Sequence, residues 1–268
     1  MPYTQPILKV RPAAVAGRFY PAVAGELAAT VRGHIEQALP GPAQRVRAII
    51  GPHAGYIYSG AIAGSVYAAA AGLRGKIDRV VLVGPSHYVA FEGLAVPSHD
   101  AFETPLGRVP LDRAAVERAL GFSFVHMMDE AHAREHGLEV HLPFLQMTLG
   151  AFSLVPVVCG RCGAEEVAHL VEALWTDDRT LVVVSSDLSH YLSYDQARDV
   201  DRATARAIEQ LTPHAIGSDQ ACGQLAIQGL LLVVAKRNLR MITLDLRNSG
   251  DTAGSRDRVV GYGAWVAV

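Results

Sequence analysis

The sequence predicts an α/β protein with a three-layer αβα architecture, helices covering both faces of a central mixed, mainly parallel sheet. Two observations carry this expectation. Short Val/Ile/Leu-rich runs alternate along the chain with segments whose apolar residues recur at helical spacing, the order that builds sheets through crossover helices. Several of the runs stop at a Gly-Pro or Ser-rich corner that carries a histidine, as expected where strands end at a ligand crevice. With 268 residues, and neither a low-complexity linker nor a chain-long repeat, residues 1–268 read as a single domain.

Residues 11–21, RPAAVAGRFYP, are turn-rich and end in Phe19-Tyr20-Pro21. Ala24, Leu27, Ala28, Val31, Ile35, Ala38 and Leu39 then fall at helical spacing before the stop at Pro40-Gly41, predicting a helix with one face on the sheet. Val46 and Ala48–Ile50 read as a buried strand that breaks at Gly51-Pro52 and presents His53; a small-residue helix follows from near Ser59. Arg79–Val83 repeats the arrangement, with Gly84-Pro85 followed by Ser86-His87. The plainer alternative is that Gly-Pro only ends strands and the histidines are ordinary loop residues.

Between residues 91 and 113, EGLAV suggests a strand and ETPLGRV a turn or hairpin; residues 111–120 are helix-like, with Asp112 as cap. The segment 130–150 holds His132, His136 and His141, and Pro143 requires its helix to kink or restart. Without an H-E-x-x-H pattern, these histidines read as a polar surround or a wet helix end rather than a separate zinc site. Residues 152–158 and 180–185 are strand-like, 165–175 and 194–210 helix-like, and 223–236 an almost wholly apolar, buried helix. Residues 241–246 and 259–268 read as closing strands.

A net charge of −2 gives no basic surplus for nucleic acid or an anionic membrane. The longest uncharged span, residues 48–73, contains Pro52, His53 and glycines including Gly51, Gly55, Gly60 and Gly64, which suits a strand, loop and helix better than a bilayer-spanning helix. The first twelve residues show no signal peptide, and three cysteines cannot all pair, so the cytoplasm is the expected compartment.

Three histidines, His53, His87 and His190, thus follow predicted strands. Imidazole is both a common metal ligand and the readiest proton carrier near neutral pH. Asp187 either orients the His190 ring or caps the turn. Cys222, just before the apolar helix, is either a third ligand, its thiolate favoured by the helix N-terminus, or a small buried hydrophobe. Tyr56 and Tyr58 either line a cleft or pack in the core. Cys159 and Cys162, a lone C-x-x-C, read as structural.

The strings RPAAVAGRFYP, IIGPHAGYIYSG, VVLVGPSH, ETPLG, EHGLEVHLPFLQ, SSDLSHY, ACG and VVGYGA run nearly end to end and resemble the Memo family, including the prokaryotic members called AmmeMemoRadiSam system protein B. The resemblance implies a fold like the class III extradiol dioxygenases (LigB-like), in which two histidines and a carboxylate hold Fe(II). It implies His53 and His87 as metal ligands, Cys222 in the carboxylate's place, and His190 as the acid/base group beside Asp187. Thiolate is softer than carboxylate and also favours copper or zinc. The cleft of animal members is described as binding phosphotyrosine-containing peptides; Phe19 stands where they carry a tryptophan.

The leading expectation is therefore a metal-dependent redox protein, Fe(II) first and copper or zinc next, acting on a small or peptide-borne aromatic. The rivals are a binding scaffold for a peptide or for a radical-SAM or AMMECR-type partner implied by the family name, and a zinc hydrolase.

Overall fold

The computed structural model describes residues 8–42 and 44–268. The expected lack of a signal peptide falls largely on residues 1–7, outside the described residues. Among the described residues, no helix is long and apolar enough to cross a membrane.

Four parallel strands form the centre: β2 (Ala48–Gly51), β9 (Thr180–Ser185), β3 (Arg79–Pro85) and β8 (Ser153–Cys159), side by side in that order. Their residues are buried almost throughout, so AIIG, RVVLVGP and TLVVVS read as continuous apolar runs, as strands covered on both faces must. Antiparallel strands close the sheet. On one side β12 (Val259–Ala267) pairs with β2, and β10 (His190–Leu192) and β11 (Met241–Asn248) pair with β12. On the other, β4 (Leu94–Val96) pairs with β8, and β7 (Val125–Met127) with β4, completing nine strands.

Alternate strand residues feed two separate cores, which makes the three layers. Ile50, Val81, Val83, Val182 and Val184 pack with α3 (Arg113–Ala119), α7 (Ala164–Leu174), α9 (Gln224–Lys236) and the end of α8 (Tyr194–Glu209). Ile49, Val80, Leu82 and Val183 pack with α1 (Ala24–Glu36), α2 (Tyr56–Ala69) and α6 (His141–Leu149). A small second sheet, β1 (Val10–Arg11), β5 (Ala101–Thr104) and β6 (Gly107–Pro110), contains the expected ETPLG hairpin.

Three local expectations shift. The helix after His53 begins at Tyr56 rather than near Ser59, because the Tyr56 amide finds a distant acceptor, the Phe19 carbonyl at 2.8 Å. Helix α1 rests mainly on α2 and α6 rather than directly on the sheet. The histidine-rich segment divides into α4 (Asp129–Ala133), α5 (His136–Glu139) and α6, with Pro143 in the first turn of α6, where its missing N–H costs nothing. That division points His132, His136 and His141 in different directions. Asp112 caps α3 as expected, accepting from the Ala115 amide.

Candidate metal centre

Parallel pairing aligns the carboxyl ends of the central strands. Gly51 is level with Ser185, and Pro85 with Cys159. The residues that follow are stitched together across the sheet end, Ser186 N donating to Gly51 O (2.9 Å) and Ser86 N to Cys159 O (3.0 Å). His53 and His87 therefore emerge beside each other, their rings edge-on with centroids 5.0 Å apart. His136, at the start of α5, completes a cluster: its ring is 4.4 Å from His87 and 5.5 Å from His53. One nitrogen from each of the three lies within 4.8 Å of the others.

Hydrogen bonds fix how two of these rings are held. Glu135, 2 % exposed, takes the His87 amide on Oε2 (2.8 Å) and the ring Nδ1–H on Oε1 (2.7 Å), leaving Nε2 as the bare lone pair. Ser185 settles His53. Its single hydroxyl proton goes to the Gly137 carbonyl, so it must accept from His53 Nδ1 (2.6 Å) and from His141 Nε2 (3.0 Å). His141 Nδ1 in turn accepts from the Tyr67 hydroxyl at 2.7 Å. Both His53 and His87 thus have Nδ1 as the donor and Nε2 turned away from that bond, the arrangement that a carboxylate or hydroxyl imposes on a metal-ligating imidazole.

Cys222 lies outside the three-imidazole group, but its Sγ is 3.3 Å from His53 Nε2. Gly223 allows this approach: a Cβ there would sit 2.5 Å from the Ser185 carbonyl oxygen and 2.8 Å from Ser186 Cβ. Helix α9 does not deliver a thiolate by itself. Burial, then the charge of Asp187, pushes the Cys222 thiol up to about 12, outweighing the Asp187 and Gly223 backbone contacts and the Ser186 hydroxyl.

Asp187 braces the His53 loop rather than the His190 ring. Its Oδ1 accepts the His53 amide at 2.7 Å and its backbone oxygen accepts the Cys222 amide at 3.3 Å; burial raises its carboxyl to about 7. Among the described residues no hydrogen bond joins it to His190. His190 still stands near enough that a proton on its ring would disfavour one on His53.

Tyr56 is not a cleft residue. It is 5 % exposed, packs on Phe144 and Tyr20, and donates its hydroxyl to the Val140 carbonyl at 2.6 Å, as a core position on the inner face of α2 requires. Tyr58, two residues on and so on the opposite face of α2, is exposed and lies, with Tyr191, close to buried Tyr262. Phe19 packs on His136 at 4.8 Å between centroids, and the Tyr88 hydroxyl is 3.2 Å from His136 Nδ1. Cys159 and Cys162 are free thiols.

Burial, then the neighbouring imidazoles led by His87, depresses His53 well below the usual histidine range; burial and His87 bring His136 to about 4. Three imidazoles with a nitrogen each within 4.8 Å of the others, beside a sulfur, suit a borderline transition ion such as Fe(II), copper or zinc, whereas Mg or Ca ions want oxygen donors. A cavity of about 320 Å³ opens on the Cys222 side, lined by Ser86, Phe91, Cys159, Arg161 and Gln224 among others.

Glu135, Ser185 and the ligand-like place of His136 do not stand out in the sequence. A buried acid next to a histidine in the E-H-G-L-E string is the one available signal. Ser185 is invisible because its role depends on β9 lying between β2 and β3.

Fold and site together define a three-layer α/β protein with an imidazole cluster, running from buried His53 to exposed His87 and able to hold a metal ion, at the carboxyl ends of its parallel strands. The chain belongs to the Memo family: the model for Memo-like protein matches residues 11–266. It is 34% identical to a MEMO1 family protein of Aquifex aeolicus, over 95% of this chain and 98% of the relative. The corresponding figures are 37%, 95% and 97% for one of Ignicoccus hospitalis, and 35%, 94% and 98% for one of Thermotoga neapolitana. The fold also resembles the crystal structure of uncharacterized protein JW3007 from Escherichia coli K12, with a TM-score of 0.53 at 15% identity, over 81% of this chain and 99% of that one.

Proposed function

We propose that the protein is a non-haem metal-dependent redox protein that holds Fe(II) through His53 and His87, with Cys222 or His136 supplying a third donor. The observation that carries this reading is the pair of Nε2 lone pairs, bared by Glu135 and Ser185 and turned into one cluster with a thiol 3.3 Å from His53. Such an ion supplies one-electron chemistry and binds substrate oxygens.

The chain's own residues do the rest. Glu135 and Ser185 hold two rings against rotation. His190, at the exposed start of β10, has its pKa lowered by partial desolvation, and its ring is the proposed group to take a proton from a bound hydroxyl. The cavity beside Cys222 is at the small end of ligand pockets and has an aromatic wall at Phe91, which favours a small aromatic substrate.

The test is metal analysis of protein purified without oxygen, for wild type and for H53A, H87A, H136A and C222A. Iron bound by wild type and lost in H53A and H87A is expected; C222A and H136A then identify the third donor. Copper in the same residues keeps the redox reading with another ion. Zinc with hydrolytic activity, or full metal content in H53A and H87A, overturns it.

A further inference from the structure

We propose that a cavity separate from the imidazole cluster is a binding site for a phosphate group, either inorganic phosphate or the head of a small phosphate monoester. It has a volume of about 330 Å³ and lies between α8 and β11, where Arg198, Arg202 and Arg247 face it. Tyr194, on its near wall, follows His190 by four residues, so the two α-carbons are at most about 14 Å apart.

The charge balance inside the cavity favours an anion. Arg198 and Arg202 are one helical turn apart on α8. Each has an acid within ion-pair reach only at 3.9 Å, Asp195 and Asp199, and those acids are 90% and 82% exposed. Contacts of that kind hold a guanidinium weakly, so both forks are available. Arg247 gives Nε and Nη2 to Asp245, leaving Nη1 uncommitted among the described residues.

The acids lining the cavity are already engaged. Asp251 takes the Tyr194 hydroxyl (2.5 Å) and the Asn248 amide (3.0 Å). Asp201 accepts the Ser189 amide at 3.1 Å and presses on Gly261, where a Cβ would sit 2.0 Å from Oδ2. Asn248 adds a donor: it is 1 % exposed, its Oδ1 accepts from Gly250 N, and its Nδ2 has no partner among the described residues. Arginine forks beside an amide donor match the oxygens of a phosphate, which accepts several hydrogen bonds at once.

Titration calorimetry with inorganic phosphate and with glycerol 3-phosphate tests this on the whole protein. Saturable binding is expected in wild type, weakened about tenfold or more in R198Q and in R202Q, each of which loses a charged hydrogen bond. R198K/R202K, keeping both charges without the forks, should fall between. Tighter binding of glycerol 3-phosphate assigns the site to a monoester, and equal binding to the free ion. Metal content should match wild type in all variants, since none of these residues touches the imidazole cluster. Absence of saturable heat in wild type, or undiminished binding in both glutamine variants, overturns the proposal.

Discussion

Glu135 grips His87 twice, the backbone amide at 2.8 Å on one carboxylate oxygen and ring Nδ1 at 2.7 Å on the other, and the second oxygen also takes the Gly137 amide at 2.8 Å. Burial alone would raise this acid, but the three donors outweigh it and hold the carboxyl below its ordinary range. E135Q removes one acceptor oxygen and sets an N–H against donors. Metal affinity, read by competition with a chelator, should drop about 10- to 100-fold with the fold retained.

S185A leaves three groups without a partner at once: His53 Nδ1, His141 Nε2 and the Gly137 carbonyl. Urea unfolding should show a loss on the order of 3 kcal/mol. A variant within about 0.5 kcal/mol of wild type would contradict the tautomers assigned to His53 and His141.

Arg11 and Glu139 form an ion pair at 2.6 Å with side chains 1% and 0% exposed, and Glu139 also accepts from the amides of Ala14 and Val15 and from Tyr20. R11M strands a buried carboxylate and should cost about 3–5 kcal/mol. Because this pair fastens the segment that lays Phe19 on His136, metal retention should weaken with it; unchanged unfolding in urea would refute this role for the pair.

Asp201 gives the pH dependence. Burial, its largest influence, raises the carboxyl to about 6 despite the Ser189 amide. The folded state therefore holds a proton that the unfolded chain has released, and this group's contribution to stability falls as pH rises from about 4 to 6, by at most about 1.4 kcal/mol per unit. D201N should flatten that part of the profile in urea titrations at stepped pH.

G223A tests the seat of Cys222. The added methyl meets the Ser185 carbonyl and Ser186, so α9 must shift outward. A cost of about 1–3 kcal/mol is expected, with faster alkylation of Cys222 by iodoacetamide as the sulfur leaves His53.

The layers and the histidine corners are legible in the sequence because they rest on local signals: alternating valine runs, Gly-Pro breaks and the position of His53 and His87 just beyond them. What is not legible depends on which segments meet. Tyr56 looks like a cleft residue until α2 starts early enough to turn it inward onto Val140. Asp187 looks like the natural partner of His190, three residues on, but its carboxylate is held by the His53 amide from another strand. His136 reads as one of three similar histidines; only the break between α4 and α5 separates it from His132 and aims it at His87.

The order of the sheet has a consequence for biosynthesis. Strand β9 lies between β2 and β3, so the segments bearing His53 and His87 have no settled separation until residues 180–185 leave the ribosome and slot into the gap. Cys222 emerges later still. A growing polypeptide lacking this wedge has its imidazoles on unmoored loops, and insertion of a middle strand between earlier ones is a slow, non-local event. The ion proposed above would therefore be taken up only after translation of at least the first two-thirds of the chain, and a nascent fragment ending before residue 180 should capture none.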